Sequence, residues 1–168
     1  SIPDHFKFDM QTSGWFNMAA HKDMEPEIIE EDEDTVLLKD GNGAFLRRHK
    51  KHASTPEHVD FSVTDRAGWE EIKPLITATP DRMNVEGYRN GRQNAANNDR
   101  FFCWCGVNVF ELMHPVCGHE HMLVGMALDP DWIKDMAMTY ATTTVNLLEM
   151  LFEQEGKPDG VWFYEDMG

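Results

Sequence analysis

The sequence predicts an α/β fold, part of a parallel (β/α) barrel. Three observations carry that expectation. Near its end the chain runs a long amphipathic helix, a short Gly156-Lys157-Pro158 turn, and a strand that is apolar over residues 161–163, is expected to be buried, and closes on Glu165 and Asp166. Helix, turn, strand and acidic strand end form the repeating unit of such barrels, whose chemistry sits at the C-terminal ends of the strands. An earlier run, residues 100–105, is apolar almost throughout, as strands of a buried parallel sheet are. Length limits how much of a barrel is present. The 168 residues allow one domain with a real core, whereas a closed eight-stranded barrel takes about 200–250 residues. The expectation is a single incomplete barrel domain over residues 1–168, a fragment of a larger enzyme.

Residues 1–24 are aromatic and irregular, with Phe6, Phe8, Trp15 and Phe16, and leave room for a short helix and one strand. Residues 25–34 hold a run of acids that reads as a solvated face. An inserted β-hairpin is expected at about residues 35–48. Thr35-Val36-Leu37-Leu38-Lys39 and Ala44-Phe45-Leu46-Arg47-Arg48 flank Asp40-Gly41-Asn42-Gly43. Asp-Gly and Asn-Gly supply the positive φ values that tight turns need. Residues 54–63 read as extended. Asp65 reads as an N-cap, with Trp69 and Ile72 on one face of a short helix.

Residues 77–99 read as a polar loop with room for one short helix, because of Pro80 and the asparagines Asn90, Asn94, Asn97 and Asn98. The apolar strand of residues 100–105 is expected to end at Gly106. Two helical segments fit residues 107–113, before Pro115, and residues 118–126. The best-marked helix is capped by Asp129 and begins at Pro130. Its apolar residues recur at Trp132, Ile133, Met136, Tyr140, Leu147, Leu148, Leu151 and Phe152, and Gly156 and Pro158 stop it.

Composition narrows the function classes. The hydrophobic fraction of 41% and aromatic content of 11% are those of a folded chain. A net charge of −15, from 30 acidic and 15 basic residues, argues against nucleic acid and anionic membranes as partners. No apolar run approaches the ~20 residues of a membrane span, and residues 1–9 lack the apolar segment of a signal peptide. Three sparse cysteines, Cys103, Cys105 and Cys117, do not resemble a secreted disulfide framework. A reducing cytoplasm is the expected compartment.

Glu165 and Asp166 are the candidate catalytic residues. A carboxylate at a strand's C-terminal end can orient a hydroxylated or cationic substrate or move a proton. The plainer reading gives the pair a capping or loop-anchoring role. Asn108, Glu111 and His114 directly follow an apolar strand, which would place them near the same rim as pocket-lining residues. Fixing the loop before Pro115 is their structural alternative. Cys103, Cys105, His114, Cys117, His119 and His121 are soft or imidazole ligands of the kind zinc takes, but they match no zinc spacing. No metal site is expected within this chain. No phosphate-binding loop is present either.

Three stretches carry a resemblance. They are Cys105-Gly106-Val107-Asn108-Val109-Phe110-Glu111-Leu112-Met113-His114-Pro115-Val116-Cys117-Gly118-His119-Glu120, then Met126-Ala127-Leu128-Asp129-Pro130-Asp131-Trp132, then Gly156-Lys157-Pro158-Asp159-Gly160-Val161-Trp162-Phe163-Tyr164-Glu165-Asp166-Met167-Gly168. With the hairpin, Ser54-Thr55-Pro56 and Asp65-Arg66-Ala67-Gly68-Trp69-Glu70, they resemble the uroporphyrinogen decarboxylase superfamily over most of residues 25–168. The narrower likeness is to its decarboxylase-like proteins and corrinoid-dependent methyltransferases. The resemblance implies a TIM barrel with an inserted β-ribbon, of which this chain supplies about the second to fourth strands. It adds Asn17 and Tyr164 to the substrate-binding candidates. It also implies that zinc and a corrinoid would serve the full-length protein, with zinc ligands that lie outside this chain.

The departures from the family pattern favour methyl transfer. True uroporphyrinogen decarboxylases carry an Arg-Gln-Ala-Gly-Arg loop that is absent here. Where they place a catalytic aspartate this chain reads Gly14-Trp15-Phe16-Asn17, and where they resemble Phe-Glu-Ser it reads Tyr164-Glu165-Asp166. The leading expectation is therefore a methyltransferase acting on a small methylated compound, with a corrinoid-carrying protein as partner. A decarboxylase of a carboxylated substrate and a non-catalytic binding module are the alternatives. An open partial barrel exposes strand edges and apolar surface, so a homo-oligomer is expected.

Overall fold

The computed structural model of the chain describes residues 5–165. Its elements in order are β1 (Met10–Gly14), β2 (Glu27–Glu31), β3 (Thr35–Lys39), β4 (Ala44–His49), β5 (Glu57–Phe61), α1 (Arg66–Ile72), α2 (Val85–Asn97), β6 (Phe101–Val107), α3 (Val109–Leu128), α4 (Pro130–Glu155) and β7 (Gly160–Tyr164). Short 3₁₀ turns at Lys73–Leu75 and Pro80–Arg82 join α1 to α2. The residues gather into two compact units, where the sequence led to one domain. The first takes the described residues up to Asn17, then Ala78–Asn108 and Ala141 onward. The second takes Met18–Thr77 and Val109–Tyr140. No helix among the described residues is long and apolar enough to cross a membrane.

The first unit is built on a three-stranded parallel sheet in the order β1-β6-β7. Gly14 pairs with Cys105 and Tyr164 with Val107, so all three strands deliver their C-terminal ends to one edge. Alternation along β6 turns Phe102 and Trp104 toward one face. There they pack with Tyr88 and Ala95 of α2 and Leu151 of α4. The Tyr88 and Phe102 rings meet edge to face at 5.0 Å. The Tyr88 hydroxyl donates to the Gly156 carbonyl (2.8 Å), which ties α2 to the end of α4.

The second unit holds a four-stranded antiparallel sheet in the order β2-β3-β4-β5. The expected hairpin is its central pair. In the turn, Asp40 accepts from the Asn42 and Ala44 amides (2.9 and 3.0 Å). Helix α1 is capped as expected, with Asp65 accepting from the Gly68 amide (2.9 Å). Its Trp69 is fully buried and donates through Nε1 to Asp135 of α4 (2.7 Å). Lys73 donates to the other oxygen of the same carboxylate (2.8 Å). These two donors hold the Asp135 carboxyl below the usual carboxylate range, Lys73 more than Trp69.

Four expectations need correction. The segment at residues 77–99 is not a polar loop: its second half is the 13-residue helix α2. Asn84 caps it by accepting from the Gly87 amide (2.8 Å), and Tyr88, Gly91 and Ala95 form its buried face. Residues 25–34 are exposed as expected, yet part of them is ordered as the edge strand β2. Acidic side chains on such an edge discourage pairing with another chain. Strand β6 does not stop at Gly106 but runs to Val107. Finally, β7 is not buried. Val161 is 44% and Trp162 55% exposed, because β7 is an edge strand of an open sheet. No closed barrel is present among the described residues.

The β1–β6 pairing demands glycine at position 14. A Cβ there would lie 1.7 Å from the Cys105 carbonyl oxygen, a backbone atom that cannot rotate away. Gly14→Ala is expected to destabilise the protein by at least about 1–3 kcal/mol, the usual cost of overpacking. A lowered urea midpoint checks this; an unchanged midpoint refutes the close approach.

Candidate functional site

In open α/β sheets ligands bind outside the carboxyl ends of the strands. In the first unit that edge is formed by the residues just beyond Gly14, Val107 and Tyr164. After β1 the backbone turns at Trp15, whose φ is +65°, a left-handed conformation that costs a bulky residue energy. The turn is held because the Trp15 amide donates to the Cys105 carbonyl (3.0 Å). The indole is 61% exposed. Two residues on, a reciprocal clasp fixes Asn17. Its amide donates to the Arg82 carbonyl (2.9 Å), and the Arg82 guanidinium donates to the Asn17 carbonyl (2.6 Å). Arg82 is 2% exposed, so the cation is spent inside the unit. After β6, the Asn108 amide donates to the Tyr164 carbonyl (2.9 Å), which carries the ladder one step beyond the strand.

The sequence-predicted residues therefore divide. Asn17, Asn108, Tyr164 and Glu165 belong to the first unit and follow or end its three parallel strands. Asp166 lies outside the described residues. Glu111 and His114 belong to the second unit, on the first turns of α3. Sequence reasoning missed Arg82 and the strained backbone at Trp15. Nothing local distinguishes Arg82 from a surface arginine, since only the pairing of distant backbone groups buries it.

Glu111 and His114 open a second polar group. His114 Nε2 lies 3.3 Å from a Glu111 oxygen, with both side chains mostly buried. The other Glu111 oxygen and His114 Nδ1 are buried without a hydrogen-bond partner. The His114 ring stacks on His119 at 4.5 Å and 21°, and Phe110 flanks both. From β5, His58 approaches His114 at 6.5 Å and meets Phe61 edge-on at 5.6 Å. The two histidines of α3 come together because the helix breaks between them. Gly118 has φ +73°, and a Cβ at that position would lie 2.4 Å from the Phe61 ring. Both the backbone angle and the space require glycine.

Compared with protein families, curated proteins and solved structures, the chain finds no match in any of the three. Its chemistry has to be read from these side chains.

Among the described residues no three His, Cys, Asp or Glu side chains converge to hold an ion. Burial pushes the pKa of the Cys117 thiol up to about 12. Burial and the neighbouring Cys103 push Cys105 up to about 11.

At the opposite end of the parallel sheet, Arg92, Arg100 and Lys157 line a small cleft with Asp159. These cations sit where α2 and α4 end, and Arg92 donates to the Glu155 carbonyl. Arg92 thereby complements the C-terminus of α4.

Removing the buried cation tests the rim. Arg82→Met should leave the Asn17 carbonyl without its donor, at a cost of about 1–3 kcal/mol. Urea unfolding measures this. Full retention of stability would show that the clasp does not hold the strand end.

Proposed function

We propose that the protein is an enzyme of the uroporphyrinogen decarboxylase-like type, a methyltransferase that binds a small methylated compound at the C-terminal edge of the β1-β6-β7 sheet. The observation that carries this reading is the common direction of the three strands, which gathers Asn17, Asn108, Tyr164 and Glu165 at one edge. Carboxylate and amide groups at such an edge can hold a neutral or cationic donor. The same edge argues against a carboxylated substrate. Such a substrate needs a cation to receive it, and Arg82, which bonds Asn17 just beyond β1, is buried.

In this reading the Asn108 side-chain carboxamide orients the donor's heteroatom. Glu165 holds a cationic donor by charge as the carboxylate, or, as the protonated carboxyl, supplies the proton that the departing heteroatom requires. The exposed Trp15 indole offers an apolar face for the ring system of the acceptor. The acceptor in this reading would be a corrinoid carried by a partner protein, which would supply the electron pair for the new bond to the methyl carbon. The carbon–heteroatom pair stays with the leaving heteroatom. Zinc has no assigned step.

The test is methyl transfer from methylated amines, ethers and thioethers to free cob(I)alamin under anaerobic conditions, followed by its absorbance. Donor-dependent conversion is expected. Glu165→Gln should lower the rate by about 10²-fold or more if Glu165 moves the proton, and Asn108→Ala should raise KM. Carbon dioxide release from a carboxylated substrate, without methyl transfer, would replace this reading with the decarboxylase one.

A further inference from the structure

We propose that His58, His114 and His119 form an acid-operated latch, which holds α3 against β5 around the Gly118 break when the rings are neutral and releases it when they are protonated. The three imidazoles come from two elements. His58 stands on β5; His114 and His119 stand on α3 on either side of Gly118. Phe61 of β5 fills the space at that break, so the contact the rings surround is also the contact that accommodates the kink.

Neutral rings suit the arrangement. Stacking at 4.5 Å is favourable between uncharged imidazoles and brings like charges close once both carry a proton. His114 Nδ1 is buried and unpartnered. In the neutral ring it is a bare acceptor, whereas protonation would make it a buried donor with nothing to receive it.

Counter-charges are too few. From α3, Glu111 answers His114. From the β3–β4 turn, Asp40 acts on His58. β4 places Leu46 opposite His58 in the ladder. On β5 itself, Glu57 faces Arg47 at 3.9 Å, and Asp60 accepts from the Phe61 amide (2.8 Å). Beyond Glu111 beside His114 and Asp40 near His58, each added positive charge would meet positive neighbours.

His58 already shows the strain. Loss of water around its ring pushes its pKa below 6.5; His114 adds to the fall, Asp40 opposes it, and His119 adds a little more. The sign follows from linkage. The unfolded chain takes up a proton at this histidine from about pH 6.5 downward, before the folded one does. Stability from this contact is therefore complete above that pH and is lost as the pH falls through the depressed folded value.

Hydrogen exchange of the whole chain, corrected for intrinsic rates, tests the latch. Between about pH 7.5 and 5.5, protection in β5 and in α3 around Gly118 should fall about tenfold or more, while α2 keeps its protection. In the double variant His58→Gln, His119→Gln the fall should shrink to less than about threefold. Should that variant not fold, NMR titration of the wild-type imidazole Cε1 protons decides. His58 should titrate below its ordinary value and shift the His119 signal as it does so. Independent titrations with ordinary midpoints would overturn the proposal. So would pH-independent protection, an equal fall in the variant, or loss spread evenly over every element.

Discussion

Strand β6 has a parallel neighbour on each side, and the organisation of the first unit depends on that double pairing. Both of its edges are consumed by ladder hydrogen bonds. Its alternate residues are therefore committed to fixed faces. One face takes Phe102 and Trp104 into the core beneath α2 and α4. Trp104 then reaches both neighbouring strands: its ring lies 4.9 Å from Phe16, just beyond β1, and 5.6 Å from Phe163 of β7. A single buried indole thus aligns the ends of three strands, and alignment of those ends is what makes a shared rim. Without it, Asn17, Asn108 and Glu165 would be unrelated loop residues.

Polar groups in the second unit are treated in two contrasting ways. Around Asp135, every charge is answered. Trp69 and Lys73 occupy both carboxylate oxygens, and Arg66 pairs with Asp129 at the start of the same helix. Around His114, satisfaction is incomplete, with one carboxylate oxygen and one ring nitrogen left without partners. A fully paired network rigidifies its surroundings, whereas a half-satisfied one is sensitive to a change of protonation. The first arrangement suits a structural anchor and the second a responsive contact.

What was legible in the sequence was what is decided locally. Asp65 and Asp129 are capping residues because a short side chain can reach an amide three residues on, and both helix starts lie where they were expected. The Asp-Gly-Asn-Gly turn was equally plain. Helix α2 was hidden because its buried face alternates one aromatic with small residues, Tyr88, Gly91 and Ala95, among asparagines of poor helix propensity. Its stability comes from packing on β6, which no local pattern reveals. β7 misled in the other direction. Its apolar run reads as buried, yet among the described residues it has a neighbouring strand on one side only. Of the candidate site, the strand-end positions Asn108 and Glu165 were legible from order alone. Arg82 and His58 were not, since each gains its role from residues more than forty positions away.

The charge of the rim also constrains its chemistry. The chain as a whole carries −15, and such a field concentrates cations and repels anions at the surface. Residues 25–34 contribute many of those charges on an exposed edge, while Arg82 is withdrawn into the first unit. The rim side chains that remain are amide, phenol, indole and carboxylate. An anionic substrate would meet an unfavourable field on approach. The neutral or positively charged methyl donor proposed above would not meet that obstacle. For the methyl donors proposed above, steering and recognition would act in the same direction.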